Sequence, residues 1–524
     1  MSDTPTTTES LPTPADWRAL VARELGPDKS FEETLLTKTL EGLTIEPLYT
    51  ADSAPALGAD VAPRSGAFGI AQGAGHPVPA ICNRRILEDL EGGATGSVIQ
   101  LDQTEVPDLT AMDKLLDGVF LEAIPVLFST QAEGLPLAAT FAALCAERGL
   151  EPEQVAAHFG MDPIATLARD GVLPGDLEDA KKELCLLAAH SRMCFDHARS
   201  IAVDSSVWHR AGANAATELG LAAATFTEYL RWLQESGLPP AAAHSEFVWR
   251  MDVGRDVFGN ISKLRAARVL HAKILGASGI EEATPLVIHA TTSPRGLAAS
   301  DPWTNMLRTT LGTFAAGAGG ADWITSVPFD APIAEALDGH EPSALGRRVA
   351  RNATLVLARE SQLDFVGDPA GGSYFVETMT QDLARGAWDV FTSIEAAGGM
   401  AAALAAGDVD ARVEADLKAL EGRIRSGAFP MVGVTEFRPA EGSRMPTTRP
   451  FEGVEASQQE ALSRLKARGP IALGAVDDFP HAQKAAAAGA TIAELGGALV
   501  RGAPMTRTPL IMKSEEAIAT EVSL

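Results

Sequence analysis

At 524 residues, with 46% hydrophobic and 21% charged residues, the chain has the composition of a globular protein, long enough for one large barrel with appendages or for about three average domains. A net charge of −26 argues against nucleic acid or an anionic membrane as a partner, because binding phosphates needs a basic surface. Cys82, Cys145, Cys185 and Cys194 form no C-x-x-C, no apolar run approaches the roughly 20 residues of a membrane span, and the polar start MSDTPTTTESLPTPADW lacks a signal-peptide core; the chain reads as cytoplasmic.

The first dozen residues, rich in Thr, Ser and Pro, are expected to be a disordered lead. Helical spacing runs from Asp16 to Lys38, with Asp16 as N-cap before Trp17. Thr39 to Thr50 (TLEGLTIEPLYT) reads as extended, with a Gly turn and a Pro-limited strand, and residues 51–80 as a wrapping loop. The glycine clusters Gly69–Gly75 and Gly92–Gly96 match neither a dinucleotide fingerprint nor a phosphate loop and are assigned to turns.

Short β-like runs then alternate with helical ones. The strand candidates are Ser97–Leu101, Ile124–Ser129, Ser200–Ser205, Leu286–Thr291 and Trp323–Val327, separated by Ala- and Leu-rich stretches such as Ala213–Gln234 and Asp256–Leu275. Such alternation implies parallel βαβ units. Five strands do not close a barrel of eight, so periodicity by itself supports the α/β class and no more. From Met379 onward the strands give way to helices, with a Pro-, Arg- and Thr-rich loop near Phe437–Pro450 and a thin tail after Gly502.

Two histidines lie where barrel enzymes place catalytic groups. His289 is expected at the end of its strand, its ring aimed at the barrel mouth, and His209 follows another strand end, close to Gly212. His190, Cys194 and His197, at i, i+4 and i+7, would share a helical face, but no fourth ligand is apparent and no metal is expected. By spacing alone, Arg265, Arg268 and Lys273 read as solvated charge on one helix.

The same segments resemble the cobalamin-dependent acyl-CoA mutases, the methylmalonyl-CoA mutase family. The resemblance is carried by Trp208-His-Arg-Ala-Gly-Ala213 with Glu218-Leu219, by Lys263-Leu-Arg-Ala-Ala-Arg268, by His289-Ala-Thr-Thr-Ser293 and by Asn305-Met-Leu-Arg-Thr-Thr310. Arg351-Asn352, Asp368-Pro-Ala-Gly-Gly-Ser-Tyr374 and Glu395-Ala-Ala-Gly-Gly-Met400 continue it in order. It implies a CoA-accepting (β/α)8 TIM barrel with an N-terminal extension and a helical C-terminal region. The divisions expected are a partner-contact arm over residues 1–55, the barrel over 56–400 and the helical region over 401–524. Thr291, Ser293, Arg265 and Arg308 fall on motif positions that the resemblance implies for substrate binding.

The departures point away from catalysis. Where catalytic members carry Y-x-T-M-Y-x-x-R-P-W, this chain reads Phe68-Gly-Ile-Ala-Gln-Gly-Ala-Gly-His-Pro77, and no tyrosine occurs between Tyr49 and Tyr229. Lys181–Leu187 replaces the Pro-rich element with a substrate-binding Arg. The family histidine matches His209 only across a gap; without one it falls on Val207. Thr291 replaces the glutamine of H-C-Q-T-S. None of the ten histidines sits in the D-x-H-x-x-G context that ligates cobalt, and Ala488–Leu495 resembles the linker helix that precedes the cobalamin module.

Trp17…Leu20, Leu40–Thr50, Asn83–Leu90 and Ala321–Asp330 are similar to the small-subunit branch of the family. The resemblance therefore implies a non-catalytic subunit, with His209 and His289 vestigial and no cofactor bound by this chain. Its partner would be a catalytic large subunit carrying adenosylcobalamin, the pair interconverting (R)-methylmalonyl-CoA and succinyl-CoA. Two alternatives stay open: a CoA-accepting catalytic subunit with its cobalamin module on a separate chain, and an acyl-CoA-binding regulator. Whether a pantetheine arm still enters depends on how tightly the bore is filled.

Overall fold

Eight short parallel strands close into a barrel: β1 (Gly69–Ala74), β2 (Gly96–Ile99), β3 (Val126–Phe128), β4 (Ala157–Met161), β5 (Arg199–Asp204), β6 (Phe247–Val253), β7 (Ile288–Thr292) and β8 (Trp323–Thr325). Each pairs with the next, and β8 closes back onto β1 through Trp323 opposite Gly69. The computed structural model describes residues 12–53, 61–129, 132–280, 284–337, 339–440, 445–469, 471, 473–476, 478–499 and 501–523. The expected disordered lead lies almost wholly outside them, as do residues 54–60 of the expected wrapping loop.

Ahead of the barrel stands α1 (Pro14–Leu25). A helical segment follows every strand, and those used below are α2 (Pro79–Glu91) after β1, α3 (Ala215–Glu235) after β5, α4 (Val257–Ala277) after β6, α5 (Pro302–Ala318) after β7 and α6 (Ala344–Arg359) after β8. Beyond them, α7 (Tyr374–Ala396) packs across α3 and α4, and α8 (Glu515–Ser523) is the last helix. The fold is the (β/α)8 barrel.

Alternation along the strands divides their side chains between two environments. Ile70, Ile99, Val126, Phe128, Trp249 and Ile288 face the helices and belong to one continuous apolar core, where burying each large side chain contributes about 1.5–3 kcal/mol. A separate small cluster of Ala71, Val98 and Leu127 meets Trp323 inside the barrel.

Three strands are absent from the sequence reading. β1 was assigned to glycine turns, yet its small residues answer to packing: a Cβ on Gly69 would lie 2.3 Å from the Trp323 ring, and one on Gly96 would lie 2.8 Å from it. β6 carries Arg250 and Asp252 among its apolar residues because those two positions face the bore side. β4 (AHFGM) is short and has no β-branched residue, which leaves little strand propensity to read.

Other elements shift at their ends. The N-cap of α1 is Thr13, and Asp16 instead closes a capping box from the N3 position; the helix stops at Leu25, not Lys38. Thr37–Lys38 and Thr44–Ile45 pair antiparallel around Gly42, whose φ of 79° makes the turn. The helix bearing His190 ends at Cys194, so exposed His197 does not share its face, and His190 stacks on Phe479 with ring centroids 3.9 Å apart. The tail after Gly502 is more than a thin end: Thr506 bridges to Val172, and α8 buries Ile518 and Ala519.

Candidate functional site

The carboxyl ends of β5, β6 and β7 open onto a small cavity of about 90 Å³. His209 enters it from the short helix Ser206–Arg210 after β5, Ser293 from the turn after β7, and Glu218 and Lys263 from α3 and α4. His209 Nε2 lies 2.9 Å from Ser293 Oγ, and Nδ1 lies 3.4 Å from Glu218 Oε2. Lys263 Nζ donates to that same oxygen at 2.8 Å and to the Asp252 carbonyl at 2.6 Å, while Ser205 Oγ donates to Glu218 Oε1 at 2.8 Å.

The electrostatics follow from these contacts. Burial, reinforced by nearby Arg295, pushes His209 down to about 4, so the ring is neutral at pH 7. Burial would raise Glu218, but Lys263 and the His209 hydrogen bond outweigh it and hold the carboxyl at about 2. A neutral ring facing a carboxylate donates from Nδ1, which leaves Nε2 to accept the Ser293 hydroxyl.

That order resembles a nucleophile–base–acid relay, but its chemistry is blunted. Glu218 is already neutralised by Lys263, and a base held near 4 takes little of a serine proton at pH 7. The Ser293 N–H donates to the Val253 carbonyl and the Arg295 N–H to Ser293 Oγ, so neither is free to stabilise an oxyanion.

The cavity is also roofed. Arg255 donates to Glu515 of α8 at 3.2 Å, Arg295 lies 3.6 Å from the same carboxylate, and Arg255 sits over the Phe429 ring at 4.2 Å. Glu41 of the N-terminal arm accepts from the Ala215 N–H at 3.1 Å and lines the same space.

The barrel bore beneath is filled. The rings of Trp323 on β8 and His158 on β4, opposite strands of the barrel, meet edge-on with centroids 6.3 Å apart. Arg250 on β6 reaches across to the Phe128 carbonyl on β3. His289 is the second residue of β7, not its end; its ring lies within the bore, Nε2 2.8 Å from Thr325 Oγ1, and burial and Arg250 press it down to about 3. It does not face the mouth as expected.

Of the remaining sequence candidates, Thr291 follows two residues along β7 and is half-buried. Arg265 is fully buried on the outer side of α4, bonded to Asp368, Glu377 and Thr380. Arg268 is buried as well, donating to the Leu286 carbonyl at 2.6 Å and to Asp322 at 2.9 Å. Both are structural ties where spacing had indicated solvated charge, and only exposed Lys273, 3.7 Å over the Trp388 ring, fits that expectation. Arg308 is held by Asn305 Oδ1 at 2.7 Å and by the Val432 carbonyl and does not line the cavity. The structure thus brings together His209 and Ser293, and adds Glu218 and Lys263. The signal for those two was present: charged residues at positions on α3 and α4 otherwise occupied by Ala and Leu.

Four of the ten histidines are already engaged within the fold. His209 is locked between Ser293 and Glu218, His158 and His289 lie in the bore, and His271 packs against Phe226.

A parallel barrel with chemistry-bearing residues on the loops at its carboxyl end belongs to a large class of enzyme-like folds. The match is specific: a family model described as methylmalonyl-CoA mutase covers residues 104–503, and the chain belongs to that family. It is 36% identical to the methylmalonyl-CoA mutase small subunit of Streptomyces virginiae over 88% of this chain and 77% of the relative. The corresponding small subunit of Propionibacterium freudenreichii subsp. shermanii is 34% identical over 82% and 68%. The large subunit of the Streptomyces enzyme is 29% identical over 86% and 66%. The probable small subunits of Mycobacterium are matched over 61% of their length, so the chain spans between about three fifths and three quarters of these small-subunit relatives.

Proposed function

We propose that this chain is a non-catalytic small subunit that supports a catalytic large subunit of methylmalonyl-CoA mutase, the pair interconverting (R)-methylmalonyl-CoA and succinyl-CoA. The observation that carries the reading is the filled bore: Trp323 against His158, and Arg250 tied to the Phe128 carbonyl, leave no lane along the barrel axis for a pantetheine arm. The absence of tyrosine from Phe68–Pro77 and the blunted Ser293–His209–Glu218 relay support it. Adenosylcobalamin, carried by the partner, supplies the radical chemistry, and this chain contributes no residue to that step.

The partner is met by surfaces this chain does not use for itself. α1 buries none of its residues; among the described residues Trp17 packs on Phe31, and Arg18 lies over the same ring and pairs with Glu46. α5 turns Trp303, Leu307, Leu311 and Phe314 outward as an apolar stripe, a surface suited to a protein partner. Four unpaired cysteines, three of them buried, fit a reducing cytoplasm.

The test is co-expression with a candidate large subunit and assay with adenosylcobalamin. A stable complex whose turnover is unchanged by His209→Gln and His289→Gln in this chain is expected. Loss of turnover with the complex intact would make this barrel the active one.

A further inference from the structure

On the side of the barrel away from the His209 cavity, where the segments after β8 and β1 meet, a cleft of about 290 Å³ is lined by Arg84, Arg85, Arg347, Arg348, Arg351 and Arg449. Three carboxylates share it, Glu88, Asp89 and Glu341, so the lining is three charges positive in a chain of net charge −26.

The six arginines form two tiers. The inner three are tied down: Arg85 donates to the Gly75 carbonyl at 2.8 Å and pairs with Glu341, while Arg347 and Arg351 both pair with Asp89. Three cations thus share two carboxylates, and the buried Arg351 Nε finds no hydrogen-bond partner among the described residues. Crowding is felt at Arg85, which burial and then the neighbouring Arg347 push down to about 10. The outer three, Arg84, Arg348 and Arg449, are exposed at the rim and make no ion pair among the described residues.

Asp89 and Glu341 account for the inner tier as structural ties, but nothing in the fold accounts for three further guanidinium groups held around the same opening. A general acidic surface disperses anions, so a local reversal of sign in a concave cleft concentrates them there. Guanidinium forks match tetrahedral oxyanions bidentately.

We propose that this cleft is an anion site that takes a phosphate group, either free phosphate or the phosphoryl end of a nucleotide. Rim residues Arg348 and Arg449 grip the oxyanion while Arg85 and Arg347 set the field behind them. The site is distinct from the His209 cavity and stands whether or not the subunit assignment holds.

Calorimetric titration of the full chain with inorganic phosphate, pyrophosphate and ADP, at constant ionic strength, tests it. Saturable binding is expected, and the exposed double variant Arg348→Ala/Arg449→Ala should weaken it by roughly tenfold or more, whereas Arg385→Ala, a surface arginine elsewhere, should not. Binding of inorganic phosphate as tight as that of ADP identifies the free ion as ligand, and a clear preference for ADP identifies the nucleotide; either supports the site. No saturable heat with any of the three, or equal affinity in the double variant, would overturn it.

Discussion

Glu218 is fully buried, and its charge is tolerable because Lys263, His209 and Ser205 all hydrogen-bond to it. Removing one member leaves a charge stranded. Lys263→Met should therefore cost about 3–5 kcal/mol of unfolding free energy in a urea titration, far more than a surface lysine would. The histidines give a second expectation at this scale. Burial lowers His76 and His209 to about 4, and His271 and His289 to about 3, from 6.5. Between those values and 6.5 the unfolded chain binds more protons than the native one, so stability falls as pH drops through this window. Buried Asp162 and Glu246, raised to about 6 and 7, act in the opposite sense, as do Asp89, Glu183 and Asp256, which burial also raises. His209→Gln should flatten the slope near pH 5 by up to about 1.4 kcal/mol per pH unit, read from urea midpoints across pH 4.5–7. His209 was legible from the sequence as a residue after a strand end, and Ser293 as a position of the family motif. Glu218 and Lys263 stood in the sequence as charges within Ala- and Leu-rich helices, but that the two meet is not written in either helix alone.

At the scale of elements, β1 and β8 are fitted to each other. Trp323 occupies space that any side chain on Gly69 or Gly96 would need. Gly69→Ala should destabilise the chain by about 1–3 kcal/mol through overpacking, and the loss should shrink when Trp323→Ala is added, a coupling that a double-mutant cycle measures directly. If the two losses simply add, the bore is not packed as described. The helices Ala213–Gln234 and Asp256–Leu275 were legible to within two residues because long Ala- and Leu-rich runs without proline, and the Asp256 N-cap of the second, leave a strong local trace. β1 and β4 were not, because glycine, alanine and histidine carry little strand propensity, while in β6 the bore-facing Arg250 and Asp252 interrupt an otherwise apolar run.

Over the whole molecule, a ring of strands is held shut by its helices and crossed by both chain ends. Glu41 from the front and Glu515 from the back meet over the same cavity. α1, in contrast, has no buried residue. Deleting residues 1–35 should leave the unfolding midpoint of the isolated chain unchanged within error while abolishing co-purification with a large subunit. A large fall in midpoint would show that the arm serves this chain's own fold instead. Length, the alternation of strand and helix, and the motifs from Trp208 to Met400 were enough to determine a (β/α)8 barrel of the acyl-CoA mutase type, because helix periodicity and short motifs are written in neighbouring residues. Only the tertiary structure decided that Trp323, His158 and Arg250 fill the bore, that Arg265 is a structural tie, and that six arginines from three segments share one cleft. Those depend on which distant residues face one another across a closed sheet, a relation that spacing along the chain does not encode.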